Sequence, residues 1–192
     1  FSFDVGKSDL QQCADSIMRL YGEYYFSKGD YESIRFHLTN GFLMDYNNWK
    51  NGKRIKVEGN VVSWVDSSSY DDSYENFRNY LTQVMIYAGT LSLDEESTTI
   101  EIDEIKAGDM ILKGGSPGHC VLVVDLAENE NGERCYLLAQ GYMPAQEFHI
   151  LKNPKKGDCP WYFKDDLSGS IQTPEYSFDE SHIKRWNNGF DF

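Results

Sequence analysis

Three apolar runs between residues 108 and 154 stand out in a chain whose other segments mix apolar and polar residues. Residues 110–112 form a short run, residues 119–127 are almost continuously apolar, and residues 135–140 are similar. Such runs are typical of strands that are buried on both faces of a sheet. The dipeptide Asn131-Gly132 separates the last two runs and predicts a two-residue hairpin turn, in which both positions need φ above zero. We therefore expect antiparallel strands here.

Two helical patterns precede these strands. Apolar residues recur at three- and four-residue spacing from Leu10 to Tyr25, and Ser8 followed by Gln11 matches a capping box, which predicts a helix over 8–27. Asp15 and Arg19 are expected as a solvated pair on its other side. A similar pattern predicts a second helix over 74–88. We expect an α+β fold in which a central antiparallel sheet packs against the N-terminal helix.

Shorter patterns complete the picture of one domain over residues 1–192, a length that one domain can have. An inserted antiparallel element is predicted over 33–65, with a strand at 33–38 and a hairpin at 54–57 and 61–65. Strand-like alternation at the very first residues leads us to expect that a segment precedes them. The remaining predictions are helical turns at 43–49, an edge strand at 100–102, a strand at 148–151, and an irregular tail after 161 with a short segment at 182–186.

Charge and composition narrow the function classes. The net charge is −13, which argues against nucleic acid as a partner because phosphates need Lys and Arg. No run of 18 apolar residues occurs, so we expect no membrane span. Aromatic residues make up 15% of the chain, a share that serves cores and binding grooves. A neutral or cationic ligand fits this balance best.

The candidate chemistry comes from one cysteine and one histidine. Cys13 lies near the start of the first predicted helix, His119 opens a predicted strand, and Gln140 closes the next one. A thiol becomes a useful nucleophile as a thiolate, an imidazole can take its proton, and a third polar group orients the imidazole. We interpret these three residues as nucleophile, base and orienting residue. Asp125 and His149 are alternatives for the third role.

Other readings of the same residues remain open. Cys13 also has the spacing of a core residue on its helix, about five positions after the predicted N-cap. A metal site formed by His119, Asp125 and His149 lacks supporting spacing, and the four cysteines show no metal-ligand pattern, so we predict no metal and no cofactor.

A glycine-rich segment directly before the histidine predicts a ligand groove. Residues 114–118 read Gly-Gly-Ser-Pro-Gly, which is small and bare, and they lack the Gly-Lys-Ser/Thr ending of a phosphate-binding loop. Gly115, Ser116 and Gly118, together with Tyr142 from the loop after the third strand, are the candidate binding residues.

Long stretches of the chain resemble the bacterial DUF4846 domain, which is found chiefly in Bacteroidetes. The segments that carry this resemblance are 4–25, 36–42, 87–93, 108–127 and 137–154. Members of that family look exported, so the resemblance implies a periplasmic or cell-envelope location and a further N-terminal segment.

A looser resemblance connects the same residues to NlpC/P60 and CHAP amidases. Gln12-Cys13-Ala14 is similar to their polar-Cys-small segment, and Gly108-Asp109 and the strand from His119 look like their following strands, although their Asp-Cys-Ser-Gly pattern is absent. The resemblance implies a papain-like architecture and a cysteine hydrolase that cleaves an amide bond, with a peptide or peptidoglycan-like ligand. The alternatives are a non-catalytic envelope module that binds a glycan or peptide near 114–119, or a structural partner domain. The separation of thiol and imidazole distinguishes hydrolase from binding module.

Overall fold

The computed structural model describes residues 4–188 and has the predicted α+β fold. The helices are α1 Cys13–Lys28, α2 Tyr46–Lys50, α3 Tyr74–Tyr87, α4 Thr90–Glu95 and α5 Lys164–Leu167, with short 3-10 helices at Ile102–Glu104 and Glu180–His182. The strands are β1 Arg35–His37, β2 Leu43–Asp45, β3 Lys53–Glu58, β4 Val61–Asp66, β5 Ser97–Thr99, β6 Met110–Lys113, β7 His119–Glu128, β8 Arg134–Gln140, β9 His149–Ile150, β10 Trp161–Phe163, β11 Ser170–Gln172, β12 Ser177–Asp179 and β13 Ile183–Trp186.

A seven-stranded antiparallel sheet forms the centre of the described chain. Its strand order is β10-β8-β7-β6-β13-β5, and β9 also pairs with β8. The three strands expected from the apolar runs are therefore confirmed as its middle. Separate two-stranded pairs form from β1 with β2, β3 with β4, and β11 with β12.

Both faces of this sheet are buried, because successive side chains of a strand point to opposite faces. The face toward α1 and α3, here called the helix face, and the face toward the C-terminal tail, here called the tail face, have separate cores. Strand residues of the helix-face core include Met110, Leu112, Cys120 and Leu122, and those of the tail-face core include Ile111, Val121, Val123, Tyr136 and Leu138.

The expectation of an irregular tail after 161 was wrong. Strand β10 extends one edge of the sheet, and β13 lies between β6 and β5, with Ile183 opposite Ile111. The short segment predicted at 182–186 is strand β13, and its two charged residues kept the hydrophobic pattern from predicting a strand there. Arg185 within it pairs with the buried Asp109 at 2.8 Å, so its charge is compensated inside the fold.

Helix α1 packs against the sheet through its buried residues, including Ala14, Ile17, Met18 and Tyr21. The Tyr21 ring stacks on Trp186 with centroids 4.4 Å apart, and its hydroxyl donates to the carbonyl of Gly108 at 2.9 Å. Burying an aromatic ring of this size stabilises a fold by roughly 1.5–3 kcal/mol. The first helix is thus fixed to the last strand.

Several predicted boundaries were wrong for local reasons. The helix expected over 43–49 begins only at Tyr46, because the Asp45 side chain caps it by accepting from the N–H of Asn48 at 2.8 Å. The edge strand expected at 100–102 is β5 at 97–99, and Ile102 begins a 3-10 helix. The first three residues of the strand expected at the start of the chain lie outside the described residues, and 4–6 are not a strand.

The two predicted hairpins have different outcomes. The pair β3–β4 is confirmed. The pair β7–β8 forms, but its connection has five residues because Glu128 pairs with Arg134. Gly132 has φ +79°, whereas no non-glycine residue within 4–188 has a positive φ, so the two-residue turn was wrong. The Asn129 side chain instead accepts from the N–H groups of Asn131 at 2.9 Å and Glu133 at 3.0 Å, an Asx turn.

Candidate active site

The first helix begins at the cysteine itself. Helix α1 starts at Cys13, and its N-cap Gln12 is extended, with φ −92°. The carboxyl of Asp15, at position N3, accepts from the N–H of Gln12 at 3.0 Å, which is the bond that the N3 residue makes in a capping box. The predicted start at Ser8 was wrong because Asp15, and not Gln11, makes this contact. Cys13 therefore lies in the first turn, where N–H groups lack helical partners and the helix dipole favours an anion.

A glycine brings this helix start against the end of β8. A Cβ atom added to Gly141 would lie 2.3 Å from Oγ of Ser16 and 2.7 Å from the carbonyl oxygen of Gln12. Real Cβ atoms do not approach other atoms so closely, so only glycine permits this contact. The residue before it is Gln140, which ends β8. The close approach thus places the start of α1 beside the predicted orienting residue.

Strand register puts the histidine and the glutamine on one face. Leu122 of β7 pairs with Ala139 of β8, so Gln140 follows opposite Val121 and lies diagonal to His119. Both side chains then point toward the tail face. His119 is 3% exposed and Gln140 is fully buried.

The histidine is held at one ring nitrogen by the predicted orienting residue. Its Nε2 lies 2.7 Å from Oε1 of Gln140, and the amide of Gln140 in turn donates from Nε2 to Oε2 of Glu175 at 2.9 Å. This arrangement leaves Nδ1 of His119 for the thiol of Cys13, which lies close enough to the imidazole for each group to shift the pKa of the other. The three residues predicted as nucleophile, base and orienting residue are therefore together.

Cys13 and His119 shift each other's pKa. A hydrogen bond from Cys120 lowers the pKa of the Cys13 thiol most, burial opposes it, and the hydrogen bond and charge of His119 lower it further, to about 4. Burial alone would lower the pKa of His119, but its hydrogen bonds to Cys13 and Gln140 raise it above its ordinary value. Both shifts favour a thiolate–imidazolium pair. The Cys120 thiol, whose pKa burial raises, stays protonated as the donor.

A buried carboxyl lies close to this pair. Burial raises the pKa of Asp15 to about 7, the bond from Gln12 opposes the shift, and the charge of Cys13 adds to it. Asp15 is 8% exposed and Arg19 is 4% exposed, so the expectation of a solvated pair was wrong.

Aromatic rings enclose the imidazole. Tyr142 meets His119 edge-on with centroids 5.3 Å apart, Tyr176 lies at 5.3 Å, and Phe178 stacks at 6.0 Å. Tyr176 and Phe178 belong to the hairpin of β11 and β12, residues 170–179, here called the 170–179 hairpin. The hydroxyl of Tyr176 donates to the carbonyl of Pro117 at 3.2 Å, which fixes this hairpin to the loop before His119.

The sequence was compared with models of known protein families, with curated proteins and with solved structures. The family model described as "Domain of unknown function (4846)" matches residues 1–185. The chain belongs to the DUF4846 family. No curated protein and no solved structure matches it.

The predicted binding residues of this DUF4846 domain differ in their contact with the candidate site and in their exposure. Tyr142 contacts His119, as described above. Gly115 and Ser116 are exposed, and Gly118 is packed so closely that an added Cβ atom would lie 2.4 Å from the carbonyl oxygen of Gly115. Their binding role stays a prediction. A surface groove of about 630 Å³ lies beside the site and runs from His149 to Glu175.

The alternative third residues do not take that position. Asp125 lies six residues along β7 from His119, which is about 20 Å in an extended strand. His149 pairs with Gln140 in the β8–β9 ladder, and its Nδ1 lies 3.0 Å from the carbonyl oxygen of Glu147. Among residues 4–188, no three potential metal-ligating side chains group closely enough to hold an ion. Within the same residues, no helix is long and apolar enough to cross a bilayer.

The sequence reasoning missed three residues of this site. Glu175, Tyr176 and Phe178 reach His119 and Gln140 from a tail that carried no clear strand pattern. The alternation of Ile171 with Gln172 and of Ser177 with Phe178, around a Thr-Pro turn, was the available signal.

Proposed function

We propose that this DUF4846 domain is a papain-like cysteine hydrolase that cleaves an amide bond. One observation carries the proposal: the Cys13 thiol, at the first residue of α1, lies close enough to the His119 imidazole for each to shift the other's pKa, and Nε2 of that imidazole meets Oε1 of Gln140 at 2.7 Å. A nucleophile at a helix start, a base at the start of a strand and an orienting amide on the next strand follow the papain-like order. We extend the proposal to a papain-like architecture of helix and sheet.

The chemistry begins with the thiolate of Cys13 and the imidazolium of His119. The sulfur attacks the carbonyl carbon, a C–S bond forms, and the C=O π electrons move to the oxygen. The N–H groups in the first turn of α1 lie beside the sulfur and can donate to this oxyanion. The tetrahedral intermediate thus forms where the helix dipole favours negative charge.

Collapse of this intermediate releases the first product. The oxyanion re-forms the C=O bond, the C–N bond breaks, and the leaving nitrogen takes the proton of His119, which leaves a thioester on Cys13. The neutral imidazole then takes a proton from water as the water oxygen attacks the thioester. Expulsion of the thiolate yields the carboxylic acid and restores the thiolate–imidazolium pair.

Contact between thiol and imidazole supports a hydrolase over a non-catalytic binding module, since a binding module does not need this pair. The groove from His149 to Glu175 has a volume within the range of ligand sites, and substrate can approach along it. Cell-wall peptides as substrates and an envelope location remain predictions from the resemblance to NlpC/P60 and CHAP amidases and to the family.

The test is hydrolysis of amide bonds in peptidoglycan fragments and in a mixed synthetic peptide library, with new amino groups as the readout. We expect new amines with the wild-type chain and a loss of at least about a hundredfold with Cys13→Ala or His119→Ala. Cys159→Ala, at a cysteine remote from this pair in sequence and half-buried, is the matched control and should keep full activity. Equal release by wild type and Cys13→Ala would refute the proposal.

A further inference from the structure

Gln140 can hold His119 for catalysis in only one of two amide orientations. In one orientation, its Oε1 accepts a hydrogen bond from the Nε2–H of His119. In the reversed orientation, its NH₂ group faces that N–H, and no hydrogen bond forms because both groups are donors. The two ends of an amide are nearly equal in size, so packing alone does not select between them. Another group must select the productive orientation.

Glu175 is placed to make this selection. Its Oε2 accepts from Nε2 of Gln140 at 2.9 Å. An ionised carboxylate can only accept hydrogen bonds, so it holds the NH₂ group and leaves Oε1 to His119. With Nε2 of His119 protonated, Nδ1 is free to take and return the thiol proton. The negative charge of Glu175 also raises the pKa of His119.

The segment that carries Glu175 has a fixed shape. The backbone N–H and the hydroxyl of Thr173 both donate to the carbonyl of Tyr176 at 2.9 Å, which closes the turn of the 170–179 hairpin. Tyr176 is in turn bonded to Pro117 next to the His119 strand. Although Glu175 itself is exposed, its position relative to Gln140 is thus set by bonds on both sides.

We propose that Glu175 is a positioning residue that acts through Gln140 to set the tautomer of His119 in which Nδ1 serves the Cys13 thiol. This inference rests on the proposed function, because it assigns a role within the same site. It makes the 170–179 hairpin part of the catalytic apparatus of the hydrolase.

Two substitutions separate this role from general damage. Glu175→Gln removes the obligatory acceptor, so the Gln140 amide can adopt both orientations. Glu175→Lys replaces an acceptor with a donor and favours the reversed amide. Glu180→Lys is the matched control. Glu180 directly follows the same hairpin, and its Oε1 accepts from the N–H of Gly169 at 2.5 Å and from the hydroxyl of Ser168 at 3.2 Å, away from Gln140.

The readout is the rate at which iodoacetamide alkylates Cys13 as a function of pH, followed by mass spectrometry, with circular dichroism as the check of folding. We expect the apparent pKa of Cys13 to rise by about one unit in Glu175→Lys and by less in Glu175→Gln. At pH values below both apparent pKa values, a rise of one unit lowers the thiolate fraction, and with it the alkylation rate, about tenfold. Glu180→Lys should keep the wild-type profile. In a Gln140→Ala background, Glu175→Lys should raise the apparent pKa of Cys13 by much less, because the amide is gone and only the direct effect of the charge on His119 remains.

The outcomes separate this inference from the proposed function. A low apparent pKa of Cys13 that is the same in wild type and Glu175→Lys would overturn the positioning role and leave the hydrolase standing. The positioning role would also be overturned if Glu180→Lys raised the apparent pKa of Cys13 equally, or if the rise caused by Glu175→Lys were undiminished in the Gln140→Ala background. An ordinary thiol pKa in the wild-type protein would refute the proposed function itself.

Discussion

At the scale of single residues, the site depends on burial acting with hydrogen bonds. Cys13 and His119 are each stabilised in the charged form by partners, although burial opposes both charges. Cys120 adds a donor to the sulfur from the helix face of β7. Asp15 differs, because burial dominates and raises the pKa of its carboxyl to about 7.

Asp15→Asn tests this burial cost. The pKa of Asp15 is about 7 in the fold against 3.8 in the unfolded chain, so between these values the unfolded chain releases a proton that the folded one keeps. Stability is therefore lost as pH rises through this window. Asparagine cannot ionise and can still accept from Gln12. We expect little change in the free energy of unfolding in urea at about pH 4 and a gain of roughly 1–3 kcal/mol at about pH 8.

Asp158→Asn, at an exposed aspartate, is the control for Asp15→Asn and should leave the free energy of unfolding unchanged at both pH values. A stability difference between wild type and Asp15→Asn that does not change with pH would contradict the assignment of a raised pKa.

At the scale of elements, one close contact between α1 and the end of β8 assembles the site. Gly141 has no room for a side chain, and the atoms that fill the space belong to Gln12 and Ser16, on either side of Cys13. Ser16 also bonds back to the carbonyl of Gln12 at 2.7 Å, which stiffens the helix start. The position of Cys13, the proposed nucleophile, thus depends on a glycine that has no role in the proposed chemistry.

Gly141→Ala should therefore affect both stability and reactivity. Overpacking of this kind costs about 1–3 kcal/mol, and movement of the helix start should slow the alkylation of Cys13 at about pH 6. Gly89→Ala is the matched control, because a Cβ atom added to Gly89 would have no neighbour within 4 Å and its φ of −172° suits any residue. Chemical denaturation and alkylation kinetics measure the two effects. Unchanged stability in Gly141→Ala would show that the helix and strand are not in close contact.

The sequence predicted the elements whose apolar residues are regularly spaced. It did not predict those in which polar residues interrupt the apolar pattern and are paired only by tertiary contacts. The strands β6, β7 and β8 and the order of Cys13, His119 and Gln140 followed from pattern and spacing. The start of α1 was misplaced because Gln12 is an uncommon N-cap and the commoner pattern of Ser8 with Gln11 lies directly before it. Glu175 could not have been placed, since only tertiary contacts bring the tail to Gln140.

At the scale of the whole molecule, the C-terminal segment closes the fold around the site. Strand β13 joins the sheet between β6 and β5, and its Trp186 stacks on Tyr21 of the nucleophile helix. The 170–179 hairpin covers His119 on the tail face. Residues at both ends of the described chain therefore meet at the candidate active site.

Arg185→Ala tests how much β13 contributes to the stability of the fold. The guanidinium of Arg185 makes two bonds of 2.8 Å to the carboxylate of Asp109, which is 1% exposed, and its loss leaves that carboxylate without this partner. We expect a loss of about 2 kcal/mol in unfolding free energy, reduced from the value for a fully buried pair because the arginine is partly exposed. Arg134→Ala, which breaks the exposed pair with Glu128, is the control and should cost clearly less stability than Arg185→Ala. Equal losses in the two variants would contradict the structural role of β13.

The most direct test of the account is the pH profile of iodoacetamide alkylation at each cysteine of the wild-type chain. A thiolate–imidazolium pair predicts that Cys13 is alkylated with an apparent pKa well below the ordinary thiol value of about 8.5, while Cys135, whose pKa burial raises, reacts only at higher pH. If Cys13 instead follows an ordinary thiol profile, or reacts no faster than Cys135 at about pH 6, the site holds no activated nucleophile and the hydrolase account is wrong.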